Sequence, residues 1–221
     1  MFKKTNMKKT LAQVVRRITQ YRLEEFRLYT LELEGKFTSD KNKLEAEYQN
    51  AQKGLSTEEL HYIDDYFSDE YHQIENVHVN IYRKSTLVAV YTLLETSLHD
   101  LCGHLKRLND YPVCVTDLRG EGVVRSILYL QKLASLDLTP VNASWSHIQA
   151  MNKLRNCIVH CDGNITSYKS RNSIENIASQ NSALSLVDDT KLRIERDYID
   201  KTIDEVEKLL NFIYSQTLNI T

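Results

Sequence analysis

Residues that break regular structure are scarce in this chain, which has only 2 Pro and 6 Gly among its 221 residues. An all-β fold needs turn residues about every 8–12 positions, and a multi-domain chain needs linkers rich in Pro or Gly. The sequence therefore predicts an all-α protein. A length of 221 residues suits one sizeable domain with an extension.

Two long helices are predicted in the N-terminal part of the chain. Apolar residues recur near helical spacing from about residue 10 to residue 51. Ser56–Glu59 has the spacing of a capping box and predicts a second helix that continues to about Asn109. Long helices joined by a short turn form an antiparallel hairpin. We therefore assign residues 1–80 to an N-terminal helical extension, an arm or a surface for a dimer or a partner, and residues 81–221 to a helical core.

The C-terminal part is predicted to be mostly helical as well, and Ser144 or Ser146 is expected as the N-cap of the helix that follows them. The segment 184–194 alternates around an Asp-Asp pair and predicts a small β-hairpin beside the helices. A last helix is predicted from about Asp197 to Leu218. The stretch from Asn164 to Asn181 is rich in Asn and Ser, which is typical of a lid or a loop.

A polar motif lies between Met151 and Gly163, where an Arg-Asn pair precedes a histidine on one predicted helix. At about 100° per residue, Asn152, Asn156 and His160 follow one another along a single stripe. Arg155 lies at the edge of that stripe. The other side of the helix is apolar and predicts burial against a core. This apolar face consists of Ile148, Met151, Leu154, Ile158 and Val159.

These residue types suit the cleavage of a phosphodiester by attack of a 2′-hydroxyl group. The reaction needs a base near neutral pH, a cation for the charge that grows on the phosphoryl oxygens and a group that positions the phosphate. Histidine titrates in that range, so His160 is the candidate base or acid. Arg155 can present a fork of N–H groups, and Asn156 can orient the phosphate or the imidazole. A two-fold dimer with facing motif helices would supply a second histidine.

The segment Arg155-Asn156-x-x-x-His160 resembles the Arg-x4–6-His signature of HEPN domains, in which a polar residue, often Asn, follows the Arg. The likeness includes the order of predicted elements from about Leu87 to the C-terminus. It implies a HEPN-like helical bundle and a homodimeric, metal-independent endoribonuclease that needs no cofactor. It also implies a role in toxin–antitoxin, abortive-infection or phage-defence systems, with an antitoxin or regulatory protein as a partner. A non-catalytic HEPN-like module that binds RNA, a nucleotide or a protein is the alternative.

A second predicted helix supplies supporting candidates for the site. Its apolar stripe is expected to pack on the motif helix and consists of Leu87, Val90, Leu94, Leu98, Leu101 and Leu105. Glu95 and His99 flank this stripe, where they could pair with Arg155 or fix the tautomer of His160. HEPN domains often carry a polar or acidic residue on this helix. We therefore take Glu95, His99 and Asn152 as supporting residues, with the alternative that Glu95 never meets the site.

An ordinary surface helix is the other interpretation of the motif. Gly163 suits the position after a helix C-terminus, and His160 would favour the negative end of the helix dipole. Arg155 and Asn156 would then be solvated.

Charge along the chain is uneven, although the net charge is only −2. Residues 1–21 contain six Lys or Arg and no acid, whereas residues 56–78 contain seven Asp or Glu and no Lys or Arg. The basic end could contact RNA phosphates or the acidic stretch. Solvated helix faces are the preferred explanation of either run taken alone.

The sequence argues against several other classes. No apolar run reaches the ~18 residues of a transmembrane helix, and no signal-peptide pattern follows the basic N-terminus, so we expect a cytoplasmic protein with no membrane contact and reduced cysteines. A zinc site built from Cys157, Cys161, His99 and Cys102 would lack the spacing of zinc fingers and ribbons, so we expect no metal site. The chain has no Gly-rich phosphate loop, no Gly-x-Ser-x-Gly elbow and no His-Glu-x-x-His helix.

Overall fold

The structure is a computed structural model that describes residues 2–218, without the side chains of residues 2–6 and 9. The helices are α1 (Phe2–Ala51), α2 (Thr57–His72), α3 (Val79–Asn109), α4 (Gly122–Ala134), α5 (Asn142–Cys161), α6 (Arg171–Ser179) and α7 (Arg196–Thr217), and the strands are β1 (Leu184–Val187) and β2 (Lys191–Ile194). The predictions of an all-α chain and of a small β-hairpin are confirmed, whereas the HEPN-like bundle stays a prediction.

The N-terminal helices form the predicted hairpin. The side-chain oxygen of Ser56 accepts a hydrogen bond from the backbone N–H of Glu59 at 3.4 Å, and the Glu59 carboxylate accepts one from the Ser56 N–H at 2.9 Å. This capping box starts α2. Tyr48 of α1 contacts Phe67 of α2 and donates to the Asp64 carboxylate at 2.7 Å. Only a π-helical turn at residues 73–78 separates α2 from α3, so the predicted helical run to Asn109 is present with one irregular turn.

Helix α3 lies at the centre of the core, where it packs against α1, α4, α5 and α7. The predicted apolar stripe is buried along its whole length, and each of its six residues is at most 1% exposed. Met151 of α5 and Leu210 of α7 are fully buried in the same cluster. The motif helix α5 therefore packs between α3 and α7.

Helix α1 is joined to this core by apolar and polar contacts. Its Leu23 is fully buried in the core cluster. Its Glu34 forms a two-pronged ion pair with Arg83 of α3, with N–O distances of 2.8 and 3.0 Å. Its Thr19 hydroxyl is hydrogen-bonded to the Tyr214 hydroxyl of α7 at 3.0 Å. The predicted boundary after residue 80 lies within α3, and the division into extension and core stays a prediction.

The end of the motif helix is fixed by neighbouring elements. Asp162 and Gly163 both have left-handed backbones, with φ of 50° and 75°, and the Gly163 N–H donates to the Cys157 carbonyl at 3.2 Å. A Cβ on Gly163 would lie 3.0 Å from Lys84 Cε, so glycine is favoured by space as well as by conformation. Lys84 Nζ donates to the Asp162 carbonyl oxygen at 2.6 Å.

Three local expectations need correction. Helix α5 begins at Asn142, before Ser144, whose buried hydroxyl instead points to the Glu205 carboxylate of α7 at 2.5 Å. Residues 171–179 of the predicted loop form helix α6. Val159, expected on the apolar face of α5, is 51% exposed, because it lies at the edge of that face, next to the polar stripe.

The structure describes the basic N-terminal run only in part. The side chains of Lys3, Lys4 and Lys9, part of the basic N-terminal run, lie outside the described residues. Among the helices of residues 2–218, we find none with the length and hydrophobicity needed to cross a membrane.

Candidate active site

The motif residues are presented by the C-terminal half of α5. Met151, Leu154 and Cys157 are fully buried and fix the rotation of the helix. Arg155 and Asn156 are half-buried, and His160 is exposed. Asn156 and His160 are one helical turn apart on the same stripe, as the sequence predicts. The core packing of α5 thus turns the polar stripe outward.

Arg155 and Asn156 are joined by their side chains. Arg155 Nη1 donates a hydrogen bond to Asn156 Oδ1 at 3.0 Å. This bond draws the end of the guanidinium group from the edge of the stripe toward the face that carries His160. The amide nitrogen of Asn156 and Arg155 Nη2 have no partner in the described part of the chain. Two nitrogen atoms, each with two N–H groups, are therefore free for an anionic ligand.

Tyr91 of α3 supports the guanidinium from below. The Arg155 Cζ atom lies 5.4 Å from the centroid of the Tyr91 ring, which is a cation–π distance. Tyr91 is only 3% exposed. Burial raises the pKa of Tyr91 to about 12, with a further contribution from the charge of Glu95, while Arg155 acts in the opposite direction. The Tyr91 side chain is therefore uncharged where its ring contacts the guanidinium cation.

The Nε atom of Arg155 is buried and has no hydrogen-bond partner among the described residues. A buried unpaired donor is unfavourable by about 1–3 kcal/mol. The stacking on Tyr91 and the bond to Asn156 offset this, so the position of the guanidinium is set by those two neighbours.

Glu95 lies beside the same tyrosine, at the start of α4. A Cβ on Gly122, the first residue of α4, would be 3.1 Å from Glu95 Oε1 and 3.7 Å from the Tyr91 hydroxyl. The carboxylate thus faces the positive end of the α4 dipole. Glu95 is half-buried and forms no ion pair with Arg155 in residues 2–218. Glu95 and Arg155 thus both affect the pKa of Tyr91 but do not pair with each other.

A cavity adjoins this carboxylate. Its volume is about 280 Å³, and Glu95, His99, Gly122 and Arg125 are among the residues that line it. Arg125 is half-buried and adds a second guanidinium group close to the site. His99 is exposed, and its Nδ1 lies 3.8 Å from the Asp100 carboxylate.

The structure therefore brings only some of the predicted residues together. Arg155 and Asn156 are in contact, and Glu95 shares a neighbour with Arg155. His160 and the half-buried Asn152 form no hydrogen bond or ion pair with any of them in the described chain. His99 lies on the Glu95 side, at the cavity.

Tyr91 and Arg125 were missed by the sequence reasoning. Tyr91 follows Val90 of the apolar stripe on α3 and precedes Glu95 by one helical turn. An aromatic residue at that spacing from a candidate carboxylate was the available signal. Arg125 had no signal, because only the folded chain places α4 beside α3.

Two of the cysteines considered as zinc ligands, Cys102 and Cys157, are buried thiols. Cys102 is buried and donates to the Ser126 carbonyl at 3.7 Å, and burial raises its pKa to about 12. Burial likewise raises the pKa of Cys157 to about 11. Within residues 2–218 no group of three or more His, Cys, Asp or Glu side chains is placed to hold a metal ion.

Comparison of the chain with protein-family models, with curated proteins and with solved structures finds no match in any of the three. The case for a function therefore rests on the residues of α5 and their neighbours.

Proposed function

We propose that this protein is a metal-independent endoribonuclease of the HEPN type, acting as a homodimer through Arg155, Asn156 and His160. The observation that carries the proposal is the Arg155–Asn156 hydrogen bond of 3.0 Å. It holds a guanidinium fork beside the exposed stripe on which His160 lies one turn away. A cation, an amide and an imidazole are the groups that in-line cleavage of RNA requires.

The proposed reaction is a transesterification. A His160 imidazole removes the proton of the 2′-hydroxyl, and the 2′-oxygen attacks the adjacent phosphorus. Arg155 Nη2 and the Asn156 amide stabilise the charge on the non-bridging oxygens. An imidazolium group gives a proton to the departing 5′-oxygen, so the products are a 2′,3′-cyclic phosphate and a 5′-hydroxyl. Proton balance is restored when the two histidines exchange roles through solvent.

The homodimer enters because each chain provides one motif histidine. A two-fold axis between facing α5 helices gives one His160 as base and the His160 of the second copy as acid. Such a shared groove also doubles the number of guanidinium groups that face the phosphate.

Tyr91 and Glu95 are positioning residues in this proposal. The Tyr91 ring holds the guanidinium plane of Arg155, whose buried Nε has no other support among the described residues. The negative charge of Glu95 raises the local attraction for that guanidinium without pairing with it, and so leaves its outer N–H groups for substrate.

The biological setting that we propose is a cytoplasmic toxin or phage-defence effector whose activity is held in check by an antitoxin or regulatory protein. A free ribonuclease would damage its own cell. The exposed position of His160 at the end of α5 leaves it accessible to such a protein.

One observation favours a second function, a non-catalytic HEPN-like module that binds RNA, a nucleotide or a protein. His160 has no hydrogen-bond partner in the described chain that would fix its tautomer. Catalytic histidines are commonly oriented by such a partner. In a binding module, Arg155 and Asn156 would hold a phosphate and His160 would have no chemical task.

The two functions are separated by an assay on purified protein. The full chain is incubated with a mixture of RNAs in EDTA, and the products are resolved on a denaturing gel. The ribonuclease proposal predicts cleavage by the wild type and by a His61→Ala control, which changes a histidine with a 76% exposed side chain on α2. It predicts none by His160→Ala. RNA that is retarded on a native gel but stays intact would favour the binding module.

A further inference from the structure

Helix α1 has two apolar faces, and the core uses one of them. Ala12, Thr19, Leu23 and Thr30 are buried and lie on the side that packs against α7 and α3. At about 100° per residue, a second set of apolar residues points roughly the opposite way. The exposed fractions of this set are 54% for Met7, 48% for Val14, 54% for Ile18, 66% for Tyr21 and 52% for Leu28. Leu11 lies at the edge of the set, where it is partly buried and also packs against the core cluster.

The spacing of this second face is that of a coiled coil. From Met7 to Leu28 its positions alternate between steps of four and three residues, and Glu25 occupies the one polar place. Alternating steps of this kind give a repeat of about 3.5 residues, which keeps one seam facing a partner helix over several turns. The contacts of α1 within residues 2–218 are with α2, the π-helical turn, α3 and α7. We call the second face the outer seam.

Single exposed apolar residues are common on protein surfaces, but a continuous stripe is not. The outer seam extends over three heptads of one rigid helix. Solvent contact of such a stripe is unfavourable, and a second helix with the same pattern would cover it.

We propose that the outer seam binds the outer seam of a second copy of this chain, with the two α1 helices antiparallel. In this register Ile18 packs against Tyr21 of the second copy, Leu11 against Leu28, and Val14 against the stem of Glu25. Residues 11–18 of each copy pack against residues 21–28 of the other. A two-fold axis between Ile18 and Tyr21 therefore gives both copies the same contacts.

The charges beside the seam select the antiparallel direction. In a parallel pair, the flanking positions place Arg17 of one helix against Arg22 of the other, which is repulsive. In the antiparallel register, Arg17 lies against Glu24. Arg17 is exposed and has no ion pair in the described chain, and Glu24 has a 59% exposed side chain with only a 3.6 Å contact to Arg27. Both residues are available for a partner.

A second copy explains the seam better than a different helical partner. A partner of another sequence would need only a matching apolar stripe, whereas this seam is complementary to itself in size and in charge about one central point. This proposal does not depend on nuclease activity, because none of its residues belongs to α5.

The first test measures the mass of the full chain by light scattering at micromolar concentration. The outer seam alone gives a pair of twice the chain mass of 25.7 kDa, and the facing-α5 contact of the proposed ribonuclease, which uses a separate surface, would join such pairs into a larger assembly. Ile18→Glu should raise the dissociation constant of the α1 pair by about 100-fold or more, because each pair would bury two unpaired carboxylates. The matched control is Gln20→Glu, which adds the same charge to an exposed position of α1 outside the seam. A strictly monomeric wild type, or equal weakening by both variants, would overturn the proposal.

The second test determines the direction of the helices by disulfide trapping. Val14→Cys mixed with Glu25→Cys should form a mixed disulfide, since these positions share a layer in the antiparallel register. Two copies of Val14→Cys alone should not, because their positions would be about 16 Å apart along the axis, beyond the Cβ–Cβ reach of about 4 Å. The wild-type chain, with its native cysteines, is the background control. Preferential crosslinking of Val14→Cys to itself would show a parallel pair.

The third test exchanges the charges. Arg17→Glu and Glu24→Arg should each weaken the dimer by roughly 2- to 30-fold, because each dimer contains two such pairs. The double variant should restore wild-type association. Additive weakening in the double variant would contradict the assigned register.

These outcomes are independent of the outcome for the proposed function. His160→Ala should form dimers like the wild type. Loss of cleavage in that variant with full dimerisation tests only the chemistry. Normal cleavage by a wild type that never dimerises through α1 would contradict only the proposed α1 contact.

Discussion

The ion pair between α1 and α3 allows a quantitative test of how the N-terminal helix is held. Glu34 and Arg83 have side chains only 10% and 9% exposed, and they meet through two N–O contacts of 2.8 and 3.0 Å. The Nη1 atom of Arg83 also donates to the Ile194 carbonyl at 3.1 Å and to Glu195 at 2.9 Å. The replacement Glu34→Ala would leave the buried guanidinium with the Glu195 carboxylate, which is 39% exposed, as its remaining ionic partner.

The expected magnitude follows from this loss. Removing one partner of a buried ion pair destabilises a protein by about 3–5 kcal/mol. Glu195 compensates in part, so we expect a loss near the lower end, about 3 kcal/mol in the free energy of unfolding. In a domain of this size, that corresponds to a fall of roughly 6–12 °C in Tm. Urea unfolding followed by circular dichroism would measure it.

Two further variants make the test specific. Lys36→Ala breaks a pair with Asp40 on the same helix, in which the Lys36 side chain is 62% exposed and that of Asp40 is 30% exposed. This variant should change stability by less than about 1 kcal/mol. Arg83→Met combined with Glu34→Ala removes both charges and should be less destabilising than the sum of the single changes. Equal free energies of unfolding for Glu34→Ala and Lys36→Ala would refute a stabilising role for the buried ion pair.

Two other predictions concern the candidate site and the partly buried His147 of α5. Tyr91→Leu removes the ring beneath Arg155 and should lower kcat/KM of the folded fraction on RNA by roughly 3- to 30-fold, whereas Tyr91→Phe should stay close to the wild type; equal activity of the two variants would show that the ring does not position Arg155. Burial, followed by the charge of Lys201, lowers the pKa of His147 to about 4 from an unfolded value near 6.5. As the pH falls, His147 is protonated in the unfolded chain before it is protonated in the folded chain. The free energy of unfolding is therefore highest above about pH 6.5 and falls by on the order of 3 kcal/mol as the pH drops to about 4. Denaturant titrations across this range should show a smaller acid loss for His147→Gln than for the wild type, and an unchanged one for His61→Gln, whose side chain is 76% exposed.

Local patterns predicted much of the fold. The capping box at Ser56 and the leucine stripe of α3 are signals carried by neighbouring residues, and both reappear in the structure. The scarcity of Pro and Gly likewise predicted the helical class, because long helices need few turn residues.

Features that depend on tertiary contacts were not predictable in this way. Ser144 was expected as a helix cap, but its hydroxyl pairs with Glu205 of α7, far away in sequence. The apolar residues of α1 were taken as one helical pattern, yet the structure divides them between two faces. Val15 lies on the core side and Ile18 on the outer seam. The partner of a helix face cannot be known from the spacing on that helix alone.

The candidate site shows the same division. Spacing along α5 predicted that Asn156 and His160 share a stripe, which local helix geometry guarantees. The stacking of Arg155 on Tyr91 and the position of Glu95 at the start of α4 depend on how α3, α4 and α5 pack together. Those contacts join residues that are distant in sequence.

The most direct test of the proposed chemistry is the identity of the RNA ends. We expect the purified chain, in EDTA, to leave 2′,3′-cyclic phosphate and 5′-hydroxyl termini, because the attacking group is the 2′-hydroxyl of the substrate itself. A substrate with a single 2′-deoxy substitution at the cleaved position should resist cleavage. Arg155→Ala should slow the reaction by an amount that corresponds to about 2–4 kcal/mol in the barrier, and His160→Ala should abolish it. Products with 3′-hydroxyl and 5′-phosphate ends, formed only when Mg²⁺ is added and still formed by His160→Ala, would contradict the proposed mechanism.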